Sequence, residues 1–350
     1  MGIVKKICLV LVFVFTVSFH QSCAKKEDIS LSVQKISDRV ILLRLSHNPS
    51  GTNVTAVKSS KGIVVFDTEM SYQIAAQIRK AIEKNFGGRN ISYVVNTHHH
   101  WDHTNGNQTF SDAVIIGHEN CTRGIQNFAA GKDEFAKAYK EGWIDYLKNK
   151  LESSELEPGE AEQTRERIRY ATMVYDELKE GFVPTPPDIT FSDRLMLDLG
   201  DLTLHLMHLG MCHSDSDILI HIPEEKLLIV GDAFNGRSIK YIDENADIPR
   251  WLDVLNGLLK DENFIVHGIS GHGDRMTWQD LLNHRQYIHD LWEGIQEAIT
   301  EGLSLDEVKV RFSLENHFPN VKHLRHTWDD GTDFHLLNVE TVWKMLHMDR

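Results

Sequence analysis

A run of six residues in the first third of the chain is rich in side chains that bind divalent metal ions. His98, His100, Asp102 and His103 fall within the sequence His-His-His-Trp-Asp-His. Zinc is bound by imidazole nitrogen and carboxylate oxygen, and a catalytic zinc site leaves a coordination position for water. With 20 histidines in 350 residues, chance gives such an H-x-H-x-D-H run with a probability on the order of half a percent. A metal site is therefore favoured over a solvated histidine-rich loop.

The segment before this run determines where its side chains point. Residues 91–96 are rich in β-branched and apolar types, which predicts a buried strand that leads directly into the run. His98 and His100 are two residues apart at the end of this strand, so their side chains can point the same way. Asp102 and His103 follow in the turn, close enough to reach a second ion. A strand end and its turn make a rigid base for a metal site.

The sequence Thr97-His98-His99-His100-Trp101-Asp102-His103-Thr104-Asn105-Gly106-Asn107 resembles the signature of the metallo-β-lactamase superfamily, especially glyoxalase II-type and related hydrolases. The resemblance continues downstream in the family's order, over roughly residues 37–274. Four further positions match it: the supporting aspartate at Asp67, the third histidine at His213, the bridging aspartate at Asp232 and the last histidine at His272.

This resemblance implies two zinc ions per chain and an αββα sandwich fold, which the strand count alone does not establish. Two ions about 3.5–4 Å apart can share a hydroxide, lower its pKa towards neutrality and polarise a carbonyl oxygen. Asp102 is the implied catalytic residue, because it would also orient the attacking hydroxide. The implied ligands are His98, His100 and His213 for one ion, Asp102, His103 and His272 for the other, and Asp232 as the bridge.

The hydrophobic periodicity of the chain predicts an α/β protein with two sheets flanked by helices. Predicted strands cover residues 40–45, 54–58, 62–67, 91–96, 113–116, 189–191, 195–199, 202–207, 217–222, 227–230 and 264–266. Predicted helices cover residues 72–86, 251–259, 278–300 and 339–346. We expect a metallo-β-lactamase-like domain over residues 30–280 and a helical C-terminal extension over 281–350.

A change of composition marks an insert over about residues 119–182. Lys, Glu and Ala dominate there and apolar residues recur at helical spacing, which predicts two or three helices with a break near Pro158-Gly159. The insert follows the first metal motif, so we expect it to shape access to the cleft. Because no histidine occurs between Cys121 and Phe182, we expect it to supply no metal ligand.

The N-terminus has the pattern of a signal peptide over residues 1–23. Lys5 and Lys6 precede an apolar run over residues 7–19, and Ser22-Cys23 follows. The run is too short to span a bilayer as a helix but suits a signal-peptide core. A small residue before a cysteine resembles a bacterial lipoprotein processing site. We therefore expect export, to the periplasm or to a membrane through lipid at Cys23, with plain secretion as the alternative.

Only two cysteines remain in the body of the chain beyond this segment. Cys121 and Cys212 could form one disulfide, but the sequence does not show whether they pair. No disulfide framework is therefore expected.

The charge of the chain restricts its partners. Its formal net charge is -14, from 37 basic and 51 acidic residues. Such a surface repels phosphate backbones, so we expect no nucleic-acid partner and a small-molecule substrate instead. The sequence contains neither a G-x-S-x-G elbow nor a phosphate-binding loop, which leaves serine hydrolase and nucleotide-binding functions without support.

The substrate class is less well determined than the chemistry. We expect a small ester, thioester, lactam or lactone. Some relatives that hydrolyse β-lactams bind the second zinc through a cysteine, and this chain has Asp232 at that position. Many of these relatives have a carboxylate-binding lysine where this chain has Asn235. Arg237 could bind a substrate anion and Asn235 could donate to an oxyanion, so a β-lactamase-like antibiotic hydrolase stays an alternative. A non-catalytic zinc-binding surface protein is the alternative from another class.

We expect the mature protein to begin at or near Cys23 and to be exported. The basic start, the apolar core and Ser22-Cys23 are the features that a signal peptidase reads. Mass spectrometry of the N-terminal peptide from fractionated cells measures this. Full-length chain with Met1 retained in the cytosolic fraction would contradict the prediction.

Overall fold

The computed structural model describes residues 29–46, 51–153, 156–260, 265–327 and 332–348. The predicted signal segment over residues 1–23, with Cys23, lies outside the described residues. Cys121 and Cys212 are both buried and both are free thiols.

The first sheet has seven strands that lie side by side in chain order, from β1 to β7. The strands β1 to β4 pair antiparallel, and β4 to β7 pair parallel. The strands are β1 (Leu31–Lys35), β2 (Val40–Leu45), β3 (Val54–Ser59), β4 (Gly62–Phe66), β5 (Ile91–Val95), β6 (Val114–His118) and β7 (Ile189–Phe191).

The second sheet has five strands in the order β12-β11-β10-β9-β8. The strands β8 to β11 pair antiparallel, whereas β11 and β12 pair parallel. The strands are β8 (Arg194–Asp198), β9 (Thr203–His208), β10 (Ile218–Ile222), β11 (Leu227–Gly231) and β12 (His267–Ser270).

Three buried cores make these elements a four-layer sandwich. The middle core lies between the sheets, where Leu42 and Phe66 of the first sheet share a cluster with Leu206 and Ile220 of the second. Alternate residues of the same strands face outward, because successive side chains of a strand point to opposite faces. These outward residues bury against helices on each side. The αββα fold implied by the sequence is confirmed.

The helices fall into three groups. Helix α1 (Tyr72–Asn85) covers the first sheet, and α2 (Trp101–Thr104) is a single turn within the metal-binding run. The insert consists of α3 (Glu119–Tyr139), a π-helical turn (Lys140–Ile144), α4 (Asp145–Glu152) and α5 (Pro158–Lys179). The helices α6 (Ile248–Leu258), α7 (Trp278–Thr300), α8 (Leu305–Arg311), α9 (Leu314–His317) and α10 (Phe334–Met348) belong to the second half.

The C-terminal helices pack on the second sheet. Phe312, Phe334 and Val342 belong to the same buried cluster as Leu228 and Val230 of β11. The boundary expected between residues 280 and 281 falls inside helix α7. The residues after it therefore form the outer layer of the sandwich on that side.

One predicted strand is misplaced. The sequence predicted a strand over residues 264–266, but Ile265 and Val266 are not in a strand and the strand lies at His267–Ser270. This strand has only four residues, and three of them are buried. The alternation of buried and exposed residues that identifies a strand from its sequence is therefore almost absent. The shift matters because the true strand ends two residues before His272.

The helices described in the structure give no candidate for a membrane span, since none is both long and apolar enough to cross a bilayer.

Candidate metal centre

The expected metal ligands come from the ends of strands at one edge of the sandwich. In the first sheet, His98 follows β5, and His100 is the N-cap of α2, which carries Asp102 and His103 in its single turn. In the second sheet the ligands lie in the β9–β10 loop, directly after β11, and two residues after β12; these are His213, Asp232 and His272.

These seven residues converge into three overlapping groups of donors. Within each group the ligand atoms lie within 4.8 Å of one another. The groups are His98, His100 and His213; His98, His103 and Asp232; and Asp102, His103 and His272. The first and third groups correspond to the two ligand sets implied by the sequence, and the second joins them through Asp232.

The donor atoms of the third group, Asp102, His103 and His272, lie close together. The Nε2 atom of His272 lies 3.0 Å from Asp102 Oδ2 and 3.2 Å from His103 Nε2. Two imidazole nitrogens this close need a shared proton or a shared cation between them. Asp232 spans the two sets, because its Oδ1 is 3.6 Å from His103 Nε2 and its Oδ2 is 3.5 Å from His213 Nε2.

The donor set fits a divalent metal. Among the described residues, His98 Nε2 and Asp232 Oδ1 are buried polar atoms without a hydrogen-bond partner, an arrangement that costs about 1–3 kcal/mol per group unless a ligand satisfies it. Burial lowers the pKa of His98 and of His213 well below the usual value, and that of His100 to about 4. These imidazoles are therefore neutral, as metal ligands must be.

Asp67 fixes the orientation of His103. Its carboxylate follows β4 and is buried; Oδ2 lies 2.9 Å from His103 Nδ1, and Oδ1 accepts a hydrogen bond from the Thr97 amide at 2.8 Å. This contact directs Nε2 of the imidazole towards the other donors. Burial lowers the pKa of His103, but the carboxylates of Asp102 and Asp67 outweigh it and raise that pKa well above its usual range.

Asp217 supports the loop that carries His213. Its Oδ2 accepts from the His213 and Ser214 amides, at 2.5 and 2.6 Å, and its Oδ1 accepts from the Ser214 hydroxyl. Burial raises the pKa of Asp217 to about 7. The contact is with the backbone and hydroxyl of the loop, so Asp217 positions His213 without touching its ring.

His99 connects two ligand loops, a role that the sequence analysis missed. Its amide and its Nδ1 lie 3.0 and 2.8 Å from the Ser216 hydroxyl, in the loop of His213. Its ring packs on Gly124 of α3, where a Cβ atom would lie 2.2 Å from the imidazole. A glycine inside a helix is unfavourable by about 1 kcal/mol, and that unusual residue was the available signal.

The insert contacts the site through aromatic residues and supplies no member of the three donor groups. Trp101 of α2 packs against three rings of α3: Phe128, Phe135 and Tyr139. The insert is thus joined to the short helix that carries Asp102 and His103.

A second contact between the insert and the site runs through Glu69. This buried residue has a left-handed backbone with φ of 74°, and its carboxylate accepts hydrogen bonds from the Tyr170 hydroxyl of α5 and from the Ser71 amide. The Glu69 carbonyl accepts from the Gly106 amide at 3.0 Å. Burial raises the pKa of Glu69 to about 7 despite these donors.

Glu177 of α5 holds the same loop. Its carboxylate accepts from the Ser71 hydroxyl at 2.9 Å and from the Tyr72 amide at 3.1 Å, at the start of α1. The loop after β4 is therefore held between the metal-binding run and the insert.

The basic residues near the site already have partners. Arg237 pairs with Asp274 through two contacts of 2.9 and 3.0 Å, and its amide donates to Asn235 Oδ1. Lys240 Nζ lies 2.9 Å from Asp232 Oδ2. His205, His208, His221 and His267 are in none of the three donor groups.

Comparison with known proteins agrees with this geometry. Residues 47–307 match the sequence model of the metallo-beta-lactamase superfamily. The chain belongs to that superfamily. No curated protein matches the sequence significantly.

A solved structure shares the fold at low sequence identity. The stereoselective inverting sec-alkylsulfatase Pisa1 from Pseudomonas sp. matches with a TM-score of 0.63 and 16% identity, over 89% of this chain and 50% of that one. A metallo-beta-lactamase from Pontibacter korlensis matches with a TM-score of 0.47 and 15% identity, over 73% of this chain and 99% of that one. This chain therefore spans half the length of the alkylsulfatase.

Replacing Tyr170 by Phe should lower the free energy of unfolding by about 1–3 kcal/mol, because the buried Glu69 carboxylate loses a donor. Chemical denaturation measures this change. The matched control is Tyr175→Phe on the same helix. If the Tyr170 variant is no less stable than the Tyr175 variant, the contact does not hold the loop.

Proposed function

We propose that this chain is a zinc-dependent hydrolase of a small ester, thioester, lactam or lactone. The observation that carries the proposal is the convergence of seven histidine and aspartate donors from both sheets in three overlapping groups. Two zinc ions held there would activate water as a nucleophile and polarise the scissile bond. Zinc is favoured because the first group offers only imidazole nitrogen.

The proposed ligands would divide between two ions. His98, His100 and His213 would hold one ion. The other would be held by Asp102, His103 and His272. Asp232 would contact both, because its two oxygens face His103 and His213 respectively. The orientation of His103 by Asp67 keeps one ring nitrogen available for the metal.

A cavity beside the donors can receive a small substrate. It has a volume of about 1070 Å³ and is bounded on one side by His213, Asp232 and His272. Small-molecule sites have volumes of this order. An open cavity next to the ligands favours catalysis over the alternative of a purely structural zinc site, which is closed on all sides by protein ligands.

Hydrolysis of β-lactams stays the second candidate within this class. Asp232 stands where the β-lactamases with a cysteine ligand have that cysteine, and the side-chain oxygen Oδ1 of Asn235 already accepts from the Arg237 backbone amide. Arg237 is engaged by Asp274. These contacts favour other small esters and amides over antibiotics.

The experiment that tests the function is a screen of the metal-loaded protein. The panel contains esters, thioesters, lactams and lactones, with sulfate esters and phosphodiesters as further arms. We expect turnover of at least one member of the first four classes, lost with a chelator and restored by zinc. Turnover that persists without metal, or no turnover at all, would overturn the proposal, and activity on sulfate esters alone would replace the substrate class.

Changing Asp102 to Asn should reduce kcat by about a thousandfold or more, which corresponds to about 4 kcal/mol. An amide is a neutral and weaker ligand than a carboxylate, so the ion next to His272 loses an anionic ligand. His98, His100 and His213 are unchanged and should retain their ion. Steady-state kinetics together with zinc analysis measures both effects.

The control for this variant is Asp253→Asn, an exposed position on α6. If Asp232 compensates for the loss of Asp102, the decrease should be only about tenfold, or about 1.4 kcal/mol. An Asp102 variant that keeps more than a tenth of the original kcat would therefore remove Asp102 from the assigned role.

A further inference from the structure

The strand β8 forms an open edge of the second sheet. It pairs with β9 on one side, and on its other side it is the last strand of that sheet among the described residues. The edge of a sheet presents backbone amides and carbonyls that can pair with another strand, and most proteins protect such edges. An edge without that protection is therefore a place where a further strand can bind.

The other three sheet edges in the described part of the chain are protected. The strand β1 contains Lys35, and β7 has only three residues; lysine and shortness both discourage pairing. The edge of β12 is covered, because Gly268 and Met276 exchange two backbone hydrogen bonds of 2.9 and 2.8 Å. In contrast, β8 has five residues without lysine, proline or glycine, and Met196 at its centre is 67% exposed.

Alternate residues of β8 direct their backbone amides and carbonyls to the open edge. The Leu199 amide, directly after the strand, donates to the Leu202 carbonyl across the hairpin at 2.9 Å. Backbone groups alternate in direction along an antiparallel strand, so every second residue before Leu199 faces away from β9. These residues are Asp198, Met196 and Arg194. The Asp198 carbonyl accepts from Lys61 Nζ, and a carbonyl oxygen can accept a second hydrogen bond.

The sequence of β8 is complementary to itself. It reads Arg-Leu-Met-Leu-Asp, so two copies that run antiparallel place Arg opposite Asp, Leu opposite Leu and Met opposite Met. With Met196 at the centre, Arg194 of each copy lies opposite Asp198 of the other. Directly opposite residues of an antiparallel pair share a face, and opposite charges at such positions stabilise the pair. The register that uses the outward backbone groups is thus also the register that matches the charges.

The charged residues at the two ends of β8 are placed to make this contact. Arg194 is 66% exposed, and its Nε lies 3.9 Å from Asp193 Oδ2, whereas Arg250 lies 2.5 Å from the other oxygen of Asp193. Asp198 Oδ1 accepts from the Gly200 amide at 2.7 Å, and its Oδ2 can accept from an arginine. The guanidinium of Arg194 therefore has more to gain from a carboxylate directly opposite than from its present neighbour.

A second copy would also cover the side of the core between the sheets. Leu195 and Leu197 of β8 are half-buried and pack with Phe191 against that core. In the antiparallel pair, Leu195 of each copy lies opposite Leu197 of the other. Removing the exposed part of these leucines and of Met196 from water is favourable in proportion to the apolar area buried.

We propose that β8 is the contact surface for a second copy of this chain, which pairs with it antiparallel around Met196. The pairing joins two five-stranded sheets into one sheet across a two-fold axis. A contact centred on one strand is small, so the dimer should dissociate on dilution. The inference does not rest on the proposed function, because Arg194, Met196 and Asp198 neither belong to the donor groups nor line the cavity beside them.

Sedimentation velocity over a dilution series of the purified protein measures the association. We expect a reversible dimer. Arg194→Asp and Asp198→Arg should each weaken it about tenfold or more, because each sets like charges opposite one another at both ends of the paired strands. The matched control is Arg165→Asp, an arginine of α5 that is 56% exposed, which should leave the dimer unchanged.

Mixing the two variants tests the register. The Arg194→Asp chain has aspartate at both ends of β8, and the Asp198→Arg chain has arginine at both ends. An equimolar mixture should therefore form a heterodimer with an affinity within about threefold of that of the unmodified dimer. The double variant, which exchanges the two residues, should likewise dimerise with itself. Damage to the fold of β8 would not be repaired by mixing, so the mixture separates lost charge pairing from misfolding.

A cross-link tests the position of the two-fold axis. Met196 lies opposite itself in the proposed pair, where Cα atoms are about 5.5 Å apart, a distance that a disulfide can bridge. Oxidised glutathione should therefore link Met196→Cys chains into covalent dimers. The control Val310→Cys, at a position of α8 that is 73% exposed, should stay largely unlinked.

Three results would overturn the proposal. The first is an unmodified protein that stays monomeric at every concentration. The second is a dimer that neither charge reversal weakens, since the contact would then lie on another surface. The third is a mixture of the two reversed variants that stays monomeric, because the charge pairs of the proposed register would then be absent.

Discussion

The buried carboxylate of Asp67 is the interaction on which the site depends. It lies at the end of β4 in a left-handed backbone conformation with φ of 59°, which non-glycine residues rarely adopt. From there it receives the Thr97 amide and contacts His103 Nδ1. One carboxylate thus joins the end of β4, the start of the metal-binding run and a ligand ring. The strained backbone persists because these contacts compensate for it.

The insert and the C-terminal region are two additions to the sandwich, and they contact opposite sides of the site. The insert holds the loop after β4 through Tyr170 and Glu177, and the C-terminal region holds the loop after β11 through Asn338. The loop that carries Asp67 and the loop that follows Asp232 are therefore each held both by a sheet and by an added helix. Gly271 shows how closely the loops approach, because a Cβ atom there would lie 2.2 Å from Asp232 Oδ1. Such close packing leaves a metal site little freedom to distort.

Much of the fold could be predicted from the sequence, and the seven histidine and aspartate side chains named there as ligands lie together in the structure. Helix α7 has the predicted bounds, residues 278–300, because a long amphipathic helix with an N-terminal Thr cap carries a strong periodic signal. The short buried strand at His267–Ser270 was misplaced because it carries none. The contact of Tyr170 with Glu69 joins residues 101 positions apart, and no local pattern specifies such a pair. The same holds for His99 and Ser216, which are 117 positions apart.

The central claim is that both sheets together present a site for two neighbouring metal ions. X-ray absorption spectroscopy at the zinc edge of the loaded protein tests it most directly. The account predicts nitrogen and oxygen neighbours at about 2.0–2.2 Å and zinc–zinc scattering at about 3.5–4 Å, both lost when His98 and His103 are replaced by Ala. A single isolated zinc with no metal neighbour, or zinc bound through sulfur, would contradict it.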